Sequence, residues 1–208
     1  MKTRAILIYG AGRGGAIVSE ILGLDPGLRV VGFIDDNEKL WGQEMGGHPV
    51  LGGVALLDRL QENPGFDALV LSMATPDTMH VRSLLYLGLK ERGFCFVNAI
   101  HPNTSISPSA RIGENNVVSA GVIIGTGARL GDNNRISAHC NIEHHSVVGS
   151  HNFFGSHCVT GGVVTIGDDC VFGMGVIIES LLQFGNNVRV ASGAVVTRDL
   201  PVGSVIGM

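Results

Sequence analysis

Charge is scarce in this sequence. Only 15% of its 208 residues are Asp, Glu, Lys or Arg, against the usual fraction of about a quarter. The 14 basic and 18 acidic side chains leave a formal net charge of −4, which argues against a dedicated nucleic-acid binder. Aromatic residues make up 5% and tryptophan occurs once. No run reaches the roughly eighteen apolar residues of a membrane-spanning helix, so membrane insertion is not expected. The short apolar run Ala5 to Tyr9 stops at a glycine loop and makes a poor signal peptide. Cys95, Cys140, Cys158 and Cys170 form no C-x-x-C pair and no zinc-ribbon spacing. They read as reduced, mostly buried thiols of a cytoplasmic protein. What is present is a 45% apolar content, enough for a sizeable core, and 31 glycines. That mix suggests many tight turns between short strands of small aliphatic residues.

The first half reads as a small nucleotide-binding unit. Ala5 to Tyr9 is a strand, followed at once by Gly10-Ala11-Gly12-Arg13-Gly14-Gly15. A helix from Gly14 to about Leu22 follows, with Ile17, Val18, Ile21 and Leu22 on one face. Further strands are expected over Arg29 to Ile34, Phe66 to Met73 and Cys95 to Val97, with helices over Val54 to Leu60 and Thr78 to Arg92. Pro49 to Gly53 reads as a loop. The alternation predicts a parallel sheet with helical crossovers. Gly10, Gly12 and Gly15 form G-x-G-x-x-G between a strand and a helix. The first turns the chain, the second admits a phosphate to the backbone, and the third lets helix and strand pack closely. Amides at the helix start would hold the anion, and Asp35, twenty residues beyond Gly15, could hold a ribose or base. Nothing after Ile100 repeats the pattern, which favours one nucleotide-linked ligand over a dinucleotide.

The second half keeps a period of six. Stepping from Ile106 through Ile112, Val118, Ile124 and onward to Val196 gives sixteen positions, and fifteen of them are apolar. Thr160 is the exception. Glycine often follows the marked position, and a small residue often stands four after it, as at Ala128, Cys140, Cys158 and Cys170. No α-helix has this period. A solenoid with one short strand and one turn per hexapeptide does, three hexapeptides closing one triangular coil. The marked side chains point inward, and the glycines are expected at tight corners. Residues eighteen apart should stack, His139 on His157 among them.

A glycine-loop sheet domain joined to such a repeat resembles the sugar O-acyltransferase family that includes sialic-acid O-acetyltransferases. The bacterial nucleotide-amino-sugar N-acetyltransferases are its closest-looking branch. The resemblance is carried by the Gly10-x-Gly12-x-x-Gly15 loop, Phe33-Ile34-Asp35-Asp36, Pro49-Val50-Leu51-Gly52 and His101-Pro102. It also rests on Asn141-Ile142-Glu143-His144-His145-Ser146 and on the closing run from Val190 to Pro201. It implies a Rossmann-like α/β domain over 1–100 for the nucleotide-linked sugar and a left-handed parallel β-helix over 101–208. It further implies a homotrimer with acyl-CoA in the clefts between neighbours. The family continues with a short tail near CoA, where this sequence stops at Gly207-Met208.

Carried over residue by residue, the resemblance places the catalytic base on His144. It places nucleotide contacts on Gly10, Gly12, Arg13, Gly14, Gly15, Asp35 and Asp36, and CoA phosphates near Arg189 and Arg198. Two positions depart from the family pattern. His145 stands where an acidic residue usually orients the base, and Phe153 stands where a second histidine is usual. These departures point to a variant site: a different acyl group, a different acceptor, or a role shared by His145 or His151. Acyl transfer from a thioester needs the acceptor deprotonated as it attacks, and imidazole titrates in the right range to take that proton. A backbone amide at Gly155, Gly161 or Gly173 could face the thioester oxygen. His139 and His157 are read as hydrogen-bonded interface groups with no metal assigned, His101 as a linker feature, and His48 and His80 as surface residues. The function expected is acetyl transfer from acetyl-CoA to the amine of a nucleotide-linked amino sugar for surface-glycan synthesis. A sugar or sialic-acid hydroxyl is the alternative acceptor. A dinucleotide oxidoreductase leaves the repeat unexplained, and a trimeric scaffold leaves His144 in the matching coil as coincidence.

Overall fold

The computed structural model describes residues 3–60 and 65–207; Met208 lies outside them. Its first strand, β1 (Arg4–Tyr9), is the apolar run before the glycine loop. α1 (Arg13–Gly23) leads to β2 (Leu28–Ile34), which pairs parallel to β1. β3 (Glu44–Met45) and β4 (His48–Gly52) form a hairpin, and β4 runs parallel to β2. α2 (Leu56–Leu60), β5 (Ala68–Leu71) and α3 (Met79–Glu91) follow. The strand order is β3-β4-β2-β1-β5. β1 lies between β2 and β5 and is covered on both faces, which is why it is apolar and buried from Ala5 to Tyr9 after the exposed Arg4. Ile6 and Ile8 cluster with Val18, Leu22 and Phe33 on one side, Leu7 and Tyr9 with Leu57, Tyr86 and Leu89 on the other.

Two segments differ from expectation. The stretch 49–53 lies mostly in β4 rather than in a loop. Pro49 fits because its hairpin partner is only two residues long, so one missing N–H interrupts little pairing. Cys95 to Val97 makes an isolated bridge to Leu69 rather than a strand. Leu69 N–H donates to the Cys95 carbonyl (2.9 Å) and Val97 N–H to the Leu69 carbonyl (3.0 Å), and the chain then departs into the coil.

From Ala99 onward the chain winds through two-residue strands in three parallel sheets of seven, six and five strands. Their stacking fits a left-handed β-helix. Face 1 begins at Ala99–Ile100, face 2 at Ser105–Ile106 and face 3 at Arg111–Ile112. Strands eighteen residues apart are neighbours, as Ile124 and Ile142 show. The marked residues from Val118 to Val196 are buried, and Phe154 stacks on Phe172 at 4.8 Å. Ile106 remains exposed because it lies at the end of its sheet. The thiols of Cys140, Cys158 and Cys170 are buried in the coil and donate to glycine carbonyls.

The corners correct one expectation. The glycines that follow the inward residues do not hold positive φ. They sit where successive turns approach, and a Cβ on Gly155 would stand 2.6 Å from Met174 N. The left-handed corners lie two residues further on. They are held by glycine at 121, 127, 175 and 193, but elsewhere by Asn115, Asn133, His139, His145, His151, His157, Val163, Asp169, Leu181 and Asn187.

The edge between faces 3 and 1 packs against the sheet unit. Arg82 of α3 is fully buried there. Its guanidinium donates to the carbonyls of Leu71, Met73 (3.1 Å), Asn115 (2.7 Å) and Asn133 (3.4 Å). Leu71 N–H donates to Asn115 Oδ1 (2.9 Å), Asn115 Nδ2 to Asn133 Oδ1 (2.8 Å), and Asn133 Nδ2 lies 2.8 Å from His151 Nδ1. This buried ladder fixes the glycine loop's unit against the coil.

Candidate active site

His144 projects from the edge between faces 2 and 3. The strand Asn141–Ile142 buries Ile142, and the chain then turns through Glu143 to Ser146 with His145 at φ 56°. The turn is held from the next coil, since Glu143 N–H donates to Thr160 Oγ1 at 3.0 Å. That contact explains the single polar residue in the inward register. Glycines make room on either side. A Cβ at Gly125 would lie 2.7 Å from His144 N, and one at Gly162 would lie 2.5 Å from His144 Nε2. The exposed His144 and His145 rings meet edge-on, with their Nδ1 atoms 3.2 Å apart. Glu143 does not take that place. Its carboxylate accepts from Asn141 Nδ2 (2.9 Å) and from the His144 backbone N–H (3.2 Å). The Asn141 bond, then the His144 amide, hold its pKa below the usual carboxylate value.

The other histidines lie on other edges. His139 and His157 stack at 5.1 Å on the edge between faces 1 and 2. His151 is buried between Asn133 and the Tyr86 ring, and burial pushes its pKa down. It belongs to the inter-unit ladder and not to the His144 edge. Phe153 lies on face 1. Among the described residues no group of three or more His, Cys, Asp or Glu is placed to hold a metal.

The expected oxyanion amides need correction. Gly155, Gly161 and Gly173 each donate their N–H to the next turn, to Phe172, Ile178 and Val190 carbonyls at 2.7–2.8 Å. Those amides are committed to the ladder. Gly162 differs: its N–H has no partner among the described residues, and its α-carbon lies against the His144 ring. It stands one full turn after His144, a spacing the period of the repeat already contained. Arg189 lies on face 1, whereas Arg198 borders a cavity of about 130 Å³ at the far end of the coil. The fold does not bring the two together.

In the sheet unit, Gly10 has φ 107°, while Gly15 is pinned by close approach to the Gly10 carbonyl. Ser72 Oγ donates to the Gly10 carbonyl at 2.7 Å and closes the loop from β5. A Cβ at Gly14 would lie 2.5 Å from the Ser72 carbonyl. Gly12 is the N-cap of α1, and neither its φ nor any neighbour requires glycine there. Asp35 accepts from Ala11 N–H (2.7 Å) and Asn37 N–H (2.9 Å), Asp36 from Val54 N–H (2.8 Å) and the Tyr9 hydroxyl (2.5 Å). Both carboxylates therefore tie loops together. Asp36 also lines a cavity of about 370 Å³ with Glu38, Trp41 and Arg59. The Trp41 indole is fixed there by donating to the Asp35 carbonyl at 2.7 Å. A second cavity of about 430 Å³ lies at the start of α1, bordered by Arg13, Gly14, Ser72, Thr78 and, from the coil, Arg135. Sequence reasoning did not find Trp41, Arg135 or Gly162. The sole tryptophan and the eighteen-residue period were usable signals for two of them; Arg135 carried none.

A triangular coil of hexapeptides with an imidazole pair on one edge, packed against a glycine-loop sheet, defines a class. The chain belongs to the hexapeptide-repeat sugar acyltransferases and, through residues 97–206, to the GMPPB C-terminal domain family. A perosamine N-acetyltransferase from Caulobacter crescentus, solved as a histidine mutant in complex with CoA and GDP-perosamine, is 30% identical. Its TM-score is 0.88, with 98% of this chain and 93% of that chain covered. The acetyltransferase domain of PglB from Neisseria gonorrhoeae, in complex with acetyl coenzyme A, is 25% identical at a TM-score of 0.86, covering 99% and 97%. WeeI from Acinetobacter baumannii, at 24% identity, TM-score 0.78 and the same coverage, shares the fold. No curated protein matches the sequence.

Proposed function

We propose that this protein transfers an acetyl group from acetyl-CoA to the amine of a nucleotide-linked amino sugar. The observation that carries the reading is His144, exposed on the coil edge with one ring nitrogen engaged by His145 and the other beside Gly162. In the productive tautomer His145 Nδ1 accepts from His144 Nδ1–H, which leaves the Nε2 lone pair of His144 free. That nitrogen takes the proton of the acceptor amine as it attacks the thioester carbonyl. The Gly162 N–H faces the developing oxyanion, and the imidazolium returns the proton to the departing thiolate. His145 takes the orienting role that an acidic residue would otherwise fill.

Residues 1–100 act as a Rossmann-like domain that holds the nucleotide, and 101–208 as the transferase coil. The open backbone at Gly12 and the cavities beside Arg13 and Asp36 support the nucleotide site. Arg198 stands on the edge of His144, where it suits a CoA phosphate; Arg189 on face 1 has no such support. Ile123, Val159, Ile177 and Val195 leave an apolar stripe exposed on face 2, and the buried Asn141 Oδ1 among them has no donor among the described residues. Both features support a homotrimer with donor clefts between copies. An activated-sugar substrate and the free cysteines support a cytoplasmic location. The test is CoA release from acetyl-CoA across nucleotide-linked amino sugars, for wild type and His144→Ala. Loss of the base should slow transfer by about 10²–10⁴-fold. Release that persists in the variant removes the role from His144. Release with hydroxyl acceptors alone would establish O-acetylation instead.

A further inference from the structure

Three arginines gather where no acid among the described residues answers them. Arg135 leaves face 1 of the coil and borders the 430 Å³ cavity at the start of α1. The other described lining residues, Arg13 among them, come from the sheet unit, and none is Asp or Glu. Arg82 lies behind the wall, donating to the Met73 carbonyl that borders the same space. It is held by carbonyl oxygens alone, and Arg135 is close enough to repel it. Burial, then this repulsion, push the Arg82 pKa down to about 9, so it remains a cation at neutral pH. Burial lowers the pKa of Arg135 as well, and its guanidinium has no hydrogen-bond partner among the described residues. Like charges held together out of water are costly unless an anion joins them. A planar guanidinium fork matches phosphate oxygens in two-pronged fashion. The side of the cavity formed by Gly14 lies next to the open backbone at Gly12.

We propose that this cavity is a diphosphate site spanning the sheet unit and the coil, with Arg135 as the phosphate-binding residue the coil supplies. The proposal rests on the nucleotide-sugar reading and adds to the glycine loop a contact from the other domain. A diphosphate gripped by Arg13 and Arg135 fixes the substrate relative to the coil that carries His144. The nucleotide and CoA both contain a diphosphate, so the probes must separate them.

Wild type, Arg135→Met and Arg135→Lys would be titrated with GDP, UDP, inorganic pyrophosphate and CoA by calorimetry. KM and kcat would be measured beside the titrations. Arg135→Met should weaken the nucleoside diphosphates and pyrophosphate by about ten- to a hundredfold. The KM for the nucleotide sugar should rise similarly, with kcat and the KM for acetyl-CoA near wild type. Arg135→Lys should recover part of the loss. A loss confined to CoA would support the site with the acyl donor as its occupant. Unchanged affinity for every probe would overturn the proposal. Circular dichroism checks folding. If the methionine variant does not fold, the lysine variant must still bind the probes more weakly than wild type, and equal binding overturns the proposal. Diphosphate binding that depends on Arg135 in a protein that acetylates no amino sugar would refute the proposed function and leave the site standing.

Discussion

Val163 holds a left-handed backbone at φ 61°, a region a β-branched side chain occupies only at a cost. Its side chain is about half exposed, so packing offsets little of that strain. Its N–H donates to the His144 carbonyl at 2.9 Å, which places the strained corner on top of the candidate base. Val163→Gly removes the Cβ conflict and is expected to raise stability by about 1 kcal/mol, read from urea unfolding. A decrease would show that the valine side chain has packing that outweighs its strain. The same residue shows what the sequence concealed. The inward register was legible from Val118 to Val196 because burial constrains side-chain type. Corner conformation constrains it less, so histidine, asparagine, valine and leucine all fill positions where glycine alone was sought.

The ladder on the edge between faces 3 and 1 couples α3 to the coil. Asn115, Asn133 and His151 occupy equivalent corners one turn apart, each passing a hydrogen bond to the next. His151 must be neutral to accept from Asn133 Nδ2. Burial depresses its pKa, Arg82 adds to the effect, and Asp168, Asp169 and Asp132 oppose it. The folded protein thus binds fewer protons at His151 than the unfolded chain. The stabilisation is present above the unfolded value of about 6.5 and is lost as pH falls through the lower folded value. His151→Asn repeats the Asn115 and Asn133 arrangement with a group that does not titrate. It should flatten the fall in unfolding free energy between pH 7.5 and pH 5. An identical slope in the variant would show that other groups govern acid stability. The strands and helices that build this junction were legible from their apolar periods. The junction was not: Arg82 and Asn133 are distant in sequence, and an arginine on a helix reads as a solvated side chain.

At the scale of the whole molecule, face 2 presents an exposed apolar stripe of Ile123, Val159, Ile177 and Val195. Ile177 stands near its middle, paired with Val159 and Val195. Ile177→Glu should leave the coil folded, since only the outward residue of that strand changes. It should convert a trimer into monomers by sedimentation and abolish CoA release. A variant that stays associated, or that transfers as a monomer, would place the interface elsewhere. The coil also behaves as a ruler. Each turn advances about 4.8 Å along the axis, so Arg198, three turns beyond His144 on its edge, lies roughly 14 Å away. Excising one eighteen-residue turn between them would shorten that span by about 5 Å while every remaining inward side chain kept its face. Reach along this edge can therefore change only by whole turns, and on the proposed acyl transfer the number of coils between His144 and Arg198 would set which donors span it.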